Sequence, residues 1–294
     1  MTNEIELDNT VPIQNAVHLI SHSEVEAFGQ CEKKHEYAHI EQLEPNTSSA
    51  ALAKGNAGHF VLETFLKAIK DGMSNMEASK HAINSLYEED FEIGIIGEAS
   101  RITKPWMEHI WPTLGWKVVA VEKEFRLKID NDLTYPFKID ALMEIRGELV
   151  IVDHKFVYDI YDTNTIRLMP QMPRYAGAMR MMDIDVRYGM YNFLRTRKLK
   201  DPMEGYSQVY NRFSDARIRH SMLEQVQEMR KINELEQMRP EDRPIAVRTV
   251  NKMNCAHCGF VELCAQELET GEKATMMRKI AFRPNTYGYK ELEP

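Results

Sequence analysis

Apolar residues change their period twice along this chain. From Asn56 to Ile69 and from Met76 to Phe91 they recur at helical spacing, and residues 97–116 predict a third helix up to Pro112, then a turn. The middle switches to runs rich in Val, Ile and Phe with partial alternation. There WKVVAVEKEFRLKI, YPFKIDALMEIR and ELVIVDHKF predict three successive strands. A helix around MPQMPRYAGAMRMM, a strand at RYGMYNFLR and a long amphipathic helix from Asp215 to Met238 follow, the last closed by Pro240 and Pro244. Residues 1–20 read as a loose arm, and the last fifty residues as short, irregular and cysteine-bearing. Helices, a strand meander, then a helix and a strand predict a mixed α/β core, with no linker that would cut residues 1–294 in two.

Composition narrows the class. With 43% hydrophobic and 28% charged residues the chain has a globular balance. No run approaches the roughly 20 apolar residues of a membrane span, and the acidic start MTNEIELDNTVP lacks the apolar stretch of a secretory signal. A cytoplasmic protein without a membrane partner is expected, its four cysteines being reduced ligands or core residues. The net charge of −8 argues against a nucleic-acid partner, but its distribution does not. Between Arg187 and Arg219 eight Lys/Arg face three acids, a net +5, with Tyr188, Tyr191, Phe193, Tyr206, Tyr210 and Phe213 interleaved. That pattern suits a single-stranded nucleic-acid groove, and equally a solvated face beside a core strand.

The second and third strands carry the candidate chemistry. If Arg146-Gly147 is a two-residue turn, Asp140 and Asp153 lie opposite each other, about 5 Å apart at Cβ and on one face of the sheet. Two carboxylates so placed repel unless a cation lies between them, and hard oxygen ligands suit Mg²⁺ or Mn²⁺. Lys155, two residues beyond Asp153, shares that face and is placed to orient a water or stabilise charge on a phosphate. The same spacing also fits two exposed strand acids neutralised by a neighbouring lysine. Glu122 and Glu124 lie on one face of the first strand as possible further ligands, with Glu122 favoured.

The cysteines form a second constellation. Cys255, Cys258 and Cys264 make a C-x2-C-x5-C cluster, and Cys31 stands far upstream in SEVEAFGQCEKKHEY. Each cysteine is then used once in a four-thiolate site, whose spacing admits either zinc or an iron–sulfur cluster.

The run FKIDALMEIRGELVIVDHKF resembles the PD-(D/E)xK nuclease superfamily, in particular its RecB-type exonuclease branch. Gly55-Asn56-Ala57-Gly58-His59 is similar to that branch's G-x-x-x-H motif, and Gln171-Met172-Pro173-Arg174-Tyr175 to its Q-x-x-x-Y motif. Pro173 departs from the pattern and places the helix start near Gln171. The resemblance spans about Ser23 to Cys264. It implies a restriction-endonuclease-like core, a central mixed sheet flanked by helices, over residues 55–244. It also implies that segments 21–54 and 245–270 are joined by a [4Fe-4S] cluster on Cys31, Cys255, Cys258 and Cys264.

The catalytic set that follows is Asp140, Asp153, Lys155, Gln171 and Tyr175. The divalent metal is held by His59, Asp140, Asp153 and the backbone carbonyl of His154, with Glu63 sharing the helical face of His59. The expected activity is Mg²⁺- or Mn²⁺-dependent DNA exonuclease on single strands or duplex ends, in phage or bacterial recombination, repair or replication. Rivals are a CRISPR-adaptation nuclease, a catalytically silent cluster-stapled DNA-binding scaffold, and a zinc-stapled binding protein with merely exposed hairpin acids. Intact Asp140, Asp153 and Lys155 count against a silent scaffold.

Overall fold

Capping and alternation together set the elements, which the computed structural model describes for residues 18–46 and 49–285. In chain order they are β1 (His18–Leu19), α1 (His22–Gln30), α2 (Glu32–His35), β2 (Leu43–Pro45), α3 (Ala50–Lys70), α4 (Asn75–Ser85), α5 (Ile93–Pro105), α6 (Trp111–Leu114) and β3 (Lys117–Lys128). Then come β4 (Leu133–Ile145), β5 (Glu148–Val157), α7 (Thr163–Leu168), α8 (Gln171–Met181), β6 (Tyr188–Arg195) and β7 (Tyr206–Arg212). The chain continues with α9 (Asp215–Gln237), α10 (Lys252–Ala256), α11 (Val261–Thr270), α12 (Thr275–Ala281) and β8 (Phe282–Pro284).

The result is a mixed α/β fold with a central mixed sheet flanked by helices. Strand order is β1-β4-β5-β6-β7, with β3 also beside β4. The pairs β1–β4 and β5–β6 are parallel, while β4–β5 and β6–β7 are antiparallel. Arg146 and Gly147, at φ 55° and 80°, make the left-handed two-residue turn that matches strand twist. The register runs from Ile145↔Glu148 to Ala141↔Val152, as the hairpin arithmetic requires.

The chain divides into two compact units. One holds residues 49–124 and 138–222. Its core packs Val61, Leu62, Phe65 and Leu66 of α3 with Ala99 and Ile102 of α5 and with Val150 and Val152 of β5. The Trp106 and Trp111 rings lie 5.8 Å apart in the same core. The other unit holds, among the described residues, 18–46, 125–137 and 223–285. There Tyr37, Phe260, Leu263 and Phe282 form a small cluster, and the Tyr37 hydroxyl donates to Glu267 at 2.6 Å. Arg278 clamps Glu41 and Glu267 beside it.

Several elements differ from expectation for visible reasons. Helix α4 stops at Ser85 rather than reaching Phe91, because Glu88, Glu89 and Asp90 would load acids onto a helix C-terminus. Helix α5 starts at Ile93 and gives way after Pro105 to a π-helical turn over Trp106–Ile110; Pro112 then sits harmlessly in the first turn of α6. Strand β7 escaped the pattern because its residues are half-buried and polar on an edge. The irregular tail is in fact helical over α10–α12, with Asn251 capping Asn254 and Gly271 closing α11 in the left-handed conformation. The arm expected over residues 1–20 lies, up to residue 17, outside the described residues. His18 and Leu19 pair with Leu133 and Thr134, and Ile20 is buried.

Candidate active site

Three elements of one unit converge on a small polar group. Helix α3 presents His59, β3 presents Glu122 and β4 presents Asp140, with one ligand atom of each lying within 4.8 Å of the others. His59 Nδ1 stands 3.4 Å from Asp140 Oδ2. The preceding residue eases the approach: a Cβ built on Gly58 would lie 2.3 Å from Phe156 Cε1, so a larger residue there would have to displace the ring between α3 and β5.

Glu122 reaches the group through a backbone irregularity. Burial along β3 alternates at Val118 and Ala120, then shifts by one residue to Phe125 and Leu127. Glu122 sits at the shift with φ 50°, a conformation that costs a non-glycine residue and re-aims its side chain as a bulge does. Its carboxylate pairs with Lys138 Nζ at 2.5 Å. Glu124, on the far side of the shift, is exposed and outside the group. Glu63 lies one turn beyond His59 and pairs outward with Lys67.

Strand β5 supplies the rest. Asp140 Oδ2 accepts the backbone N–H of His154 at 2.8 Å. Asp153 is 6% exposed, and its Oδ2 pairs with Lys155 Nζ at 2.8 Å. Lys155 Nζ donates to Gln171 Oε1 at 3.0 Å, and Gln171 Nε2 reaches the Tyr175 hydroxyl at 3.4 Å. Helix α8 begins at Gln171, so Pro173 falls in its first turn, where a missing N–H is harmless.

Burial and like charge set the electrostatics. Burial, and next the Asp153 carboxylate, hold Asp140 well above the usual carboxylate range, while the His154 N–H acts the other way. Burial also raises Glu122, against the pull of Lys138. The His59 imidazole is pushed down, first by burial. His154 is driven down to about 3 by burial and then by His59 and Lys155. Its ring is sealed in the core, with Nδ1 accepting from Asn192 and Asn192 held in turn by Gln208.

A buried aspartate paired with Lys155, beside a His–Glu–Asp group, is a donor set for a hard divalent cation. The PD-(D/E)XK nuclease superfamily profile matches residues 19–265. The chain belongs to the PD-(D/E)XK nuclease superfamily. A crystal structure of a candidate exonuclease from Eubacterium rectale superposes with a TM-score of 0.51 at 12% identity, covering 80% of this chain and 86% of that one. A likeness at that identity speaks for the fold. The solved structure of SSO0001, also 12% identical, covers 71% of this chain and 84% of its own at a TM-score of 0.34, too low to bear on the argument. No curated protein matches.

Among the residues singled out in this PD-(D/E)XK chain, His59, Asp140, Asp153, Lys155, Gln171 and Tyr175 thus fall in one unit. His154 contributes its backbone N–H to Asp140 while its imidazole faces the core. Asn192, Gln208 and Lys138 carried no sequence signal, because their roles arise from strand pairing. The basic, aromatic window is more ordinary than its composition: Tyr191, Phe193 and Phe213 are core residues, and Tyr210 is the exposed aromatic.

The four cysteines lie in the other unit, where Cys31, Cys255, Cys258 and Cys264 all line one cavity of about 230 Å³. They do not close on a single point. Among the described residues no three cysteine sulfurs come within 4.8 Å of one another. Arg248 Nε donates to Cys264 Sγ at 3.2 Å, and burial pushes the Cys258 thiol up. No helix among the described residues is long and apolar enough to cross a membrane.

Proposed function

We propose that this PD-(D/E)XK chain is a metal-dependent DNA exonuclease of the RecB-type branch. The observation that carries the reading is the convergence of His59, Glu122 and Asp140 beside buried Asp153, whose carboxylate pairs with Lys155 at 2.8 Å. A divalent ion bound by these side chains would supply Lewis-acid polarisation of the scissile phosphate and acidify a water. Lys155 orients that water and offsets charge developing on the phosphate. Gln171 holds the ammonium in place, and Tyr175 backs Gln171.

The reading includes a [4Fe-4S] cluster on the four cysteines. What supports a shared group is that all four cysteines line one cavity. Such a group would tie Cys31 to the 255–264 segment and act structurally.

The test is digestion of end-labelled single- and double-stranded DNA with Mg²⁺ or Mn²⁺, using anaerobically purified protein. Mononucleotide release that Asp153→Ala abolishes supports the reading, and undiminished cleavage by that variant overturns it. Brown protein with iron and sulfide supports the cluster, whereas colourless protein with stoichiometric zinc replaces it.

A further inference from the structure

A second cavity, of about 190 Å³, opens in the unit that holds the acidic site. Arg101, Arg195, Arg197 and Lys198 line it together with Tyr206 and Leu199, and no carboxylate is among its walls. Glu98 and Asp159 pair with two of the four cations from outside the walls, which leaves the hollow net positive and suited to an anion.

Their hydrogen bonding shows how they are held. Arg101 Nη2 donates to Glu98 at 2.9 Å and to the Thr196 carbonyl at 2.6 Å. Arg195 Nη1 donates to the Glu204 carbonyl at 3.4 Å, and Arg197 Nη2 pairs with Asp159 at 3.1 Å. Each guanidinium is therefore tethered through a terminal nitrogen. The Nε of all three is buried without a hydrogen-bond partner. Buried N–H groups left unpaired are costly in a folded protein, and these three belong to residues that line one cavity. Arginine's planar donors match the oxygens of a phosphate.

The place of the cavity gives the phosphate a context. Strands β5 and β6 are parallel, with Lys155 opposite Phe193 and Val157 opposite Arg195. The Thr196 N–H donates to the Val157 carbonyl at 2.8 Å, so the Arg195–Lys198 segment leaves directly from the end of this pair. Arg195 thus stands two residues, about 7 Å, further along the sheet than the position of Lys155.

We propose that the Arg101–Arg195–Arg197–Lys198 cavity is a phosphate subsite that holds one phosphate of the nucleic-acid strand beyond the bond cut at Asp153 and Lys155. The role of the strand rests on the function proposed above; the phosphate site itself does not. A strand-terminal phosphate and an internal phosphodiester present the same oxygens, and the experiment separates them.

The test compares wild type with Arg195→Gln/Arg197→Gln and with the charge-conserving Arg195→Lys/Arg197→Lys, which keeps the question open to refutation should the first variant fold poorly. Lys200→Gln, a basic-window residue outside the cavity, is the control. In the first arm, inorganic phosphate is titrated against chloride at equal ionic strength and thermal stability is read. Phosphate should raise the wild-type melting temperature and do so much less in either double variant. An equal rise in all three proteins overturns the subsite, whatever becomes of the nuclease reading.

In the second arm, binding of a labelled single strand is measured in EDTA across a salt series. The Gln double variant should bind about tenfold more weakly, with a log–log salt slope shallower by about 0.7 for each phosphate that is no longer neutralised. A weakening no larger than that of Lys200→Gln overturns the proposal. Repeating the arm with 5′-phosphate, 3′-phosphate and unphosphorylated ends identifies the source: a phosphate-end preference that disappears in the variant marks a terminal phosphate, and equal weakening on all ends marks an internal one. Failure of wild type to bind any strand, with the inorganic phosphate effect intact, would overturn the nuclease reading alone.

Discussion

Gly58 stands against the Phe156 ring: a methyl group on Gly58 would overlap it, at 2.3 Å from Cε1 and 2.4 Å from Cζ. Gly55, three residues earlier on the same helix, has nothing within 4 Å of its virtual Cβ. The two glycines therefore do different things. Gly58→Ala should cost about 1–3 kcal/mol by overpacking and shift His59 away from Asp140. Gly55→Ala should leave nuclease activity intact and raise stability by up to about 1 kcal/mol. Chemical denaturation and a cleavage assay on both variants check this; equal effects at the two positions would refute it.

The raised Asp140 carboxyl predicts a pH dependence for metal-free protein. Its neutral form is favoured in the folded state, so its contribution to stability is complete below the ordinary carboxylate range, about pH 4, and is lost as pH rises through the elevated folded value. Asp140→Asn keeps an acceptor for the His154 N–H and removes the charge. In EDTA the variant should melt above wild type at neutral pH, with the gap closing as pH falls toward 4. A gap that widens on acidification would reverse the sign and exclude the argument.

Lys155 owes its aim to Gln171, at 3.0 Å. Gln171→Leu should lower kcat about 10–100-fold, as loss of an orienting partner does, with little change in KM and no change in fold. Steady-state kinetics separate this from a DNA-binding role, which would raise KM instead.

His35 and Glu24, both buried, lie 3.1 Å apart in the other unit. His35→Ala takes one hydrogen-bond partner from buried Glu24, which keeps His39 at 3.8 Å, so the variant should cost about 1–3 kcal/mol. The apolar pair Glu24→Leu/His35→Phe should recover most of that loss. Urea denaturation of the single and double variants decides it.

The hairpin was legible in the sequence because a two-residue turn and a period of two leave one register, and Arg146 and Gly147 supply the turn. Glu122 was not separable from Glu124 by such reasoning: a bulge breaks the parity on which face assignment depends, and nothing in KVVAVEKEF announces it. Gly58 hid beside the motif glycine Gly55, since close approach depends on what lies across from it. The basic window left two readings open, because composition does not tell a stacking surface from a packed strand.

The unit that contains the cysteine-lined cavity is assembled from three distant stretches of chain, and the hydrogen bond from Tyr37 to Glu267 spans 230 positions. A ribosome adding roughly 5–20 residues per second delivers the second partner about ten to fifty seconds after the first. Through that interval Tyr37 lacks Phe260 and Leu263 to cover it, and Cys31 lacks its three fellow thiols. This unit is therefore the last to close in biosynthesis, and the nascent chain is most exposed to chaperones, oxidants and proteases along its amino-terminal helices.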